Sequence, residues 1–83
     1  MTWAIAWSSI AERELMDLPW HVAERVDASV IALAGGRASR AIVERMSPTD
    51  PYRLRLRLRE ASALVWLEPA ERVVHVARVL RNR

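Results

Sequence analysis

Arg53, Arg55, Arg57 and Arg59 alternate with Tyr52, Leu54, Leu56 and Leu58. In an extended strand successive side chains point to opposite faces, so this pattern puts four guanidinium groups on one face and an apolar row on the other. A guanidinium is permanently charged and presents a planar fork of donors that matches a carboxylate or a phosphate. Residues two apart on a strand lie roughly 6.6 Å apart, close to the separation of successive phosphates in a nucleic-acid chain. The same row also reads as a solvated face that discourages pairing at a sheet edge. Arg78, Arg81 and Arg83 add positive charge late in the sequence, and His75 stands among them between Val74 and Val76. His75 is either a hydrogen-bonded structural histidine or a proton-transfer group, while His21, near a helix start, reads as structural. Trp3, Trp7, Trp20, Trp66 and Tyr52 read as buried area rather than as base-stacking surfaces.

The 83 residues suit one domain spanning 1–83 with a small core. There is no cysteine, which removes disulfides and thiolate metal sites, and two isolated histidines do not assemble a site of their own. No metal or cofactor is therefore expected. All thirteen basic residues are arginine, a bias that genomic base composition explains as readily as a need for phosphate donors. Residues 1–50 carry five arginines against seven acids and residues 51–83 carry eight against three, so the two parts bear charges of about −2 and +5. A basic C-terminal part implies a polyanionic or acidic partner, and nucleic acid and an acidic neutralising protein both fit. Apolar runs are only a few residues long and no basic-then-apolar leader precedes them, so a soluble, cytoplasmic protein with no membrane contact is expected.

Positioning these groups requires a sheet and something to cover it. Trp3 to Trp7 is too short an apolar run for a helix and reads as a buried strand. Ser9 followed by Glu12 forms a capping box, which predicts a helix with Ile10, Ala11, Leu15 and Leu18 facing inward. Pro19 ends that helix and opens the next. Val22, Val26, Val30 and Leu33 make the stripe of a second helix, stopped by Gly35-Gly36, and the two helices form an antiparallel hairpin. Ala41 to Met46 is a short strand and residues 47–51 are a loop holding two prolines. Tyr52 to Arg59, Ala63 to Leu67 and Arg72 to Leu80 are three further strands. The last is valine-rich on both faces and so central, and Glu68-Pro69-Ala70-Glu71 connects it to its predecessor. Helices first and strands after predict an α+β fold: an N-terminal strand and a helical hairpin packed on one face of a four- to five-stranded, mostly antiparallel sheet. Leu54, Leu56, Val22, Val26, Val30 and Trp7 should share the core, with Arg53 and Arg55 on the open face.

This order, with Ile5 to Trp7, Glu14-Leu15, Leu18-Pro19 between the helices, Tyr52-Arg53-Leu54-Arg55, the run from Arg72 to Val79 and the basic end from Arg78 to Arg83, resembles the RelE/ParE superfamily of toxins from type II toxin-antitoxin systems. The resemblance spans essentially the whole chain. It implies a RelE-like fold whose helices cover one sheet face, a functional opposite face, and a cognate antitoxin that wraps the toxin. It also implies one of two targets: RelE-like members cut messenger RNA in the ribosomal acceptor site and so inhibit translation, and ParE-like members inhibit DNA gyrase. Arg53 and Arg55 match the basic pair that RelE-like members carry on this strand. Arg78, Arg81 and Arg83 lie where the last strand and tail supply further basic groups.

Cutting RNA without a metal needs a proton acceptor for the attacking 2′-hydroxyl, a donor for the leaving group and cations for the developing charge. Two positions depart from the RelE pattern. Glu60-Ala61-Ser62 stands where RelE-like members carry Gly-Tyr-Arg, and no tyrosine or histidine follows the last strand. Arg57 or Arg59 could replace the first group and His75 the second. The resulting reading is an mRNA endoribonuclease with Arg53, Arg55, Arg81 and His75 in catalysis. Arg57, Arg59, Arg78 and Arg83 then contact nucleic acid, and the ribosome, mRNA and an antitoxin are partners. Gyrase inhibition, favoured by the missing groups, and a degenerate member that only binds its antitoxin are the alternatives.

Overall fold

The computed structural model describes residues 2–82. Along the chain come β1 (Ala4–Trp7), α1 (Ser9–Met16), α2 (Trp20–Ala34), β2 (Ile42–Arg45), β3 (Arg53–Arg57), β4 (Ala61–Glu68) and β5 (Val73–Arg81). The strands form one sheet in the order β1-β5-β4-β3-β2, in which β1 runs parallel to β5 and every other neighbouring pair is antiparallel. This is the expected α+β architecture, with α1 and α2 on one sheet face. None of the described helices is long and apolar enough to cross a membrane.

The alternation of β3 holds. Leu56 is 1% exposed and Leu54 packs beside it, while Arg53, Arg55 and Arg57 take the other face. Val22, Val26 and Val30 of α2 are buried over the sheet with Leu33 against them, and Gly36 closes the helix at φ 68°, a conformation open to glycine because it lacks a Cβ.

The start of α1 differs from expectation by one residue. Ser8, not Ser9, is the N-cap, and its Oγ accepts the Ala11 N–H at 2.9 Å. Ser9 alone has a glutamate three residues on, but only a residue with extended backbone can turn its hydroxyl onto the third helical amide, and here that residue is Ser8. Ile10 is exposed, contrary to expectation, whereas Ala11, Leu15 and Leu18 reach the core as expected. Three aromatics also depart from the expected burial: Trp20, Trp66 and Tyr52 are all exposed, while Trp3 and Trp7 pack on the core. Tyr52 precedes β3 and its N–H is held by Asp50 Oδ1 at 2.9 Å in a turn, so the strand alternation does not extend to it.

Strand β5 is paired on both sides from Val73 to Val76 and with β4 alone beyond that point. The register slips there: Val76 faces Val65, but Arg78 faces Leu64, which leaves Ala77 as an extra residue. Such a bulge inverts the alternation that follows it. Val74 and Val76 are buried before the bulge, and Val79 after it. Helix α1 occupies the edge that β1 vacates. Ser8 Oγ donates to the Ala77 carbonyl at 2.8 Å, and Glu14 Oε1 accepts the Val79 N–H at 2.9 Å. The Glu14 carboxylate also takes the Arg78 guanidinium two-pronged, at 3.0 Å to Nε and 2.7 Å to Nη2. The hydrogen bond from Arg78 holds the Glu14 carboxyl below the ordinary glutamate range, against partial burial and with help from the Val79 amide.

Two stability predictions follow from this packing. Leu56→Ala, which truncates the largest of the fully buried side chains, should cost about 2–5 kcal/mol in chemical denaturation, and Met16→Ala, on the exposed side of α1, close to nothing. Glu14→Ala orphans the Val79 N–H and should cost about 1–3 kcal/mol. Because the folded Glu14 value is depressed, its contribution is complete above the ordinary value of roughly 4.3 and is lost as pH falls through the lower folded value. Unfolding free energies of the parent and Glu14→Ala should converge across that acid window, and a gap independent of pH would contradict the ion pair's role.

Candidate functional site

Strand register decides which side chains share the open face. Arg53 faces Trp66 on β4, and Trp66 faces His75 on β5. With strands about 4.8 Å apart, this row places a cation and an imidazole on backbones about 10 Å apart, with an indole between them. The neighbouring row runs Glu44, Arg55, Leu64, Arg78.

Within the first row Trp66 and His75 stack, ring centroids 3.9 Å apart and planes 8° from parallel. His75 Nε2 lies 2.7 Å from Glu68 Oε2. Glu68 follows Trp66 by two residues on β4 and so projects from the same face. With the carboxylate accepting Nε2–H, Nδ1 becomes the ring's proton acceptor, the arrangement by which a carboxylate fixes a catalytic imidazole's tautomer. A concavity of about 390 Å³ opens beside this row, lined by Met46, Ser47, Arg53, Leu64, Trp66 and Ala77. Trp66 and Glu68 were absent from the sequence-derived candidates. The signal was nonetheless present: a hairpin closed symmetrically about residues 69–72 pairs 66 with 75.

The arginines of the face are not equivalent. Arg53 Nε is 3.2 Å from Asp50 Oδ2, and Arg57 Nε is 2.9 Å from Glu44 Oε1. Arg78 is engaged by Glu14. Arg55 is half-buried, and its Nε is the one buried side-chain nitrogen or oxygen without a hydrogen-bond partner among the described residues. A buried donor left unpaired is costly, and an anionic oxygen arriving from the open face would satisfy it.

Arg81 does not join this group. Plain alternation from His75 puts it on the open face, but the bulge at Ala77 turns it to the helix side. There it faces the fully buried Ala61 and lines a concavity with Arg59, His21 and Leu18. Arg59 lies beyond the end of β3, in the turn to β4, and shares that location. Arg83 falls outside the described residues. Ser62, where the sequence departs from Gly-Tyr-Arg, is buried and donates to Asn82 Oδ1 at 3.0 Å, while Asn82 Nδ2 donates to the Leu58 carbonyl at 2.8 Å. That position offers a hydroxyl tied to the tail, not a cation. What the open face combines is a cation pair, an aromatic platform and a carboxylate-held imidazole, a set able to bind a phosphodiester and move a proton.

No protein-family model matches the sequence, and no curated protein sequence does. Solved structures do match in fold. The free state of a substituted Escherichia coli toxin RelE aligns with TM-score 0.77 at 18% identity, over 96% of this chain and 83% of that one. The archaeal RelE-RelB complex from Pyrococcus horikoshii aligns with TM-score 0.72 at 14% identity, over 98% and 96%. The toxin-antitoxin complex RelBE2 from Mycobacterium tuberculosis aligns with TM-score 0.69 at 19% identity, over 99% and 100%. Five strands in the order β1-β5-β4-β3-β2 with both helices on one side are thus an arrangement already known, and the fold of this chain is that of the RelE toxins.

Proposed function

We propose that this chain acts as the toxin of a type II toxin-antitoxin pair, a RelE-like mRNA endoribonuclease that works on the ribosome through its open sheet face. The observation that carries the reading is the row Arg53, Trp66, His75 beside the unpartnered Arg55. Arg55 and Arg53 bind the non-bridging oxygens of the scissile phosphate. His75 Nδ1 takes the proton of the adjacent 2′-hydroxyl, and Glu68 steadies the imidazolium that forms. The 2′-oxygen bonds to phosphorus, the bond from phosphorus to the 5′-oxygen breaks, and the departing oxygen is protonated from water. The products are a 2′,3′-cyclic phosphate and a 5′-hydroxyl, reached without a metal. Trp66 supplies a stacking surface for an unpaired base.

Two of the solved structures with this fold hold a toxin with its antitoxin. An antitoxin with an acidic, disordered segment that folds across the sheet and the helices suits the basic C-terminal part of this chain. The whole of residues 1–83 works as one domain in this reading, in the cytoplasm where its ribosomal target lies. A gyrase-inhibiting toxin is the second reading. It is favoured by Ser62 bound to Asn82 in place of a cation and by Arg81 on the helix side.

Purified ribosomes programmed with mRNA, assayed beside gyrase supercoiling, decide between them. Arg55→Ala should lower cleavage by on the order of a hundredfold while ribosome affinity changes little, because the cation acts on charge that develops in the transition state. Arg53→Ala should act in the same direction and His75→Ala should abolish cleavage with the thermal melt retained. Cleavage that is absent, or that survives the Arg53, Arg55 double substitution, overturns the RNA mechanism, and inhibition of supercoiling in its place establishes the second reading.

A further inference from the structure

A second basic surface lies on the helix side of the sheet, where the connector after α2 meets the turn between β3 and β4. Two concavities adjoin there. The first, about 400 Å³, is lined by Arg25, Arg37, Arg40 and Ser39 over Ala32 and Leu58. The second, about 310 Å³, is lined by His21, Arg59, Arg81 and Asn82. They meet at an ion pair, because Arg25 of the first reaches Glu60 of the second, Nη2 to Oε2, at 2.8 Å.

Among the described residues Glu60 is the one carboxylate lining either concavity, and Arg25 already holds it. Among the described residues, Arg37, Arg40, Arg59 and Arg81 have no carboxylate within 4.0 Å. The open face is arranged otherwise, with Arg53, Arg57 and Arg78 each meeting an acid. Five guanidinium groups around one counter-charge raise a positive potential, which concave walls concentrate. Arg37 is held in place by the end of α2: its N–H donates to the Ala32 carbonyl at 2.8 Å, and its Nε lies so near Gly35 that a Cβ there would come within 3.3 Å. The apolar floor of Ala32 and Leu58 leaves room for more than an isolated ion, and each volume suits a small ligand or a short stretch of chain.

We propose that this paired groove is an anion site for phosphate groups, separate from the Arg53 to His75 face and built from Arg37 and Arg40 at one end and Arg59 and Arg81 at the other. Phosphates arrive either on a free nucleotide or along a nucleic-acid strand, and in both cases a guanidinium fork meets two oxygens of one phosphate. Glu60 opposes binding by charge and occupies Arg25, so its removal strengthens the site.

The test uses the purified full chain at low salt, with calorimetric titration by adenosine triphosphate and fluorescence anisotropy of a short single-stranded RNA. The variants are Arg37→Ala with Arg40→Ala, Arg59→Ala with Arg81→Ala, Glu60→Gln and, on the opposite face, Arg55→Ala. Thermal melts check folding, and Arg→Gln versions that keep the apolar stems replace any alanine pair that unfolds. Each double substitution should weaken binding about tenfold and, for RNA, reduce the salt dependence by roughly 0.7 per arginine removed. Glu60→Gln should tighten binding. Nucleotide binding lost in both double variants identifies a free-nucleotide site; RNA binding weakened where the nucleotide does not bind identifies a strand path. Unchanged affinity for both probes in both double variants, or weaker binding after Glu60→Gln, overturns the proposal. Its failure is separable from failure of the open-face mechanism, which Arg55→Ala reports through cleavage.

Discussion

Strand β5 loses its second neighbour halfway along, and its backbone groups beyond Val76 need partners, since a main-chain donor or acceptor left unpaired at a half-buried edge costs as much as a lost hydrogen bond. Helix α1 supplies them. Its capping serine binds the Ala77 carbonyl while accepting from the helix's own first turn, and Glu14 takes the Val79 amide and the Arg78 guanidinium together. These contacts seat the helix and stabilise the bulge at Ala77. The bulge keeps Val79 in the core and sends Arg81 to the helix side, so one extra residue decides how the basic end of the chain divides between two surfaces.

Carboxylates then sort the arginines. Asp50, Glu44 and Glu14 each hold one arginine of the open face, and Glu68 holds His75. The exposed pairs at Arg53 and Arg57 contribute at most about 1 kcal/mol in water, so a phosphate can displace them at small cost. Arg55 differs because part of its guanidinium is buried in the middle of the sheet, between Glu44 and Leu64, without a hydrogen-bond partner for Nε. The open-face cation able to bind a phosphate without first surrendering a carboxylate is therefore in the row beside the stacked Trp66 and His75, and this coincidence supports reading the face as a site rather than as a row of solvated charges.

Fold and site carry separate information. Identities of 14–19% accompany TM-scores of 0.69–0.77, which is what a fold specified by pattern and packing allows. Chemistry depends on a few side chains, and here Ser62 with Asn82 fills a place that a cation takes in the RelE pattern, while the imidazole comes from inside β5. A common scaffold thus presents a differently composed face, and in the proposed mechanism proton transfer rests on the Glu68, His75, Trp66 cluster.

Element order, the helix stripe of Val22, Val26 and Val30, and the outward row of Arg53, Arg55 and Arg57 were legible in the sequence because each follows from a local period that any core-forming chain must obey. Sequence also set the charge of residues 51–83 and excluded thiolate chemistry. It did not reveal that Tyr52, Trp20 and Trp66 are exposed, since hydrophobic size says nothing about which side of an element meets the core. The pairing of Trp66 with His75, the engagement of Arg78 by Glu14 and the separation of Arg81 from Arg53 were settled by tertiary structure alone. Each depends on strand register between segments distant in sequence, and register at β5 is set by a bulge that no local pattern marks, because it exists only where α1 meets an edge that β1 leaves open.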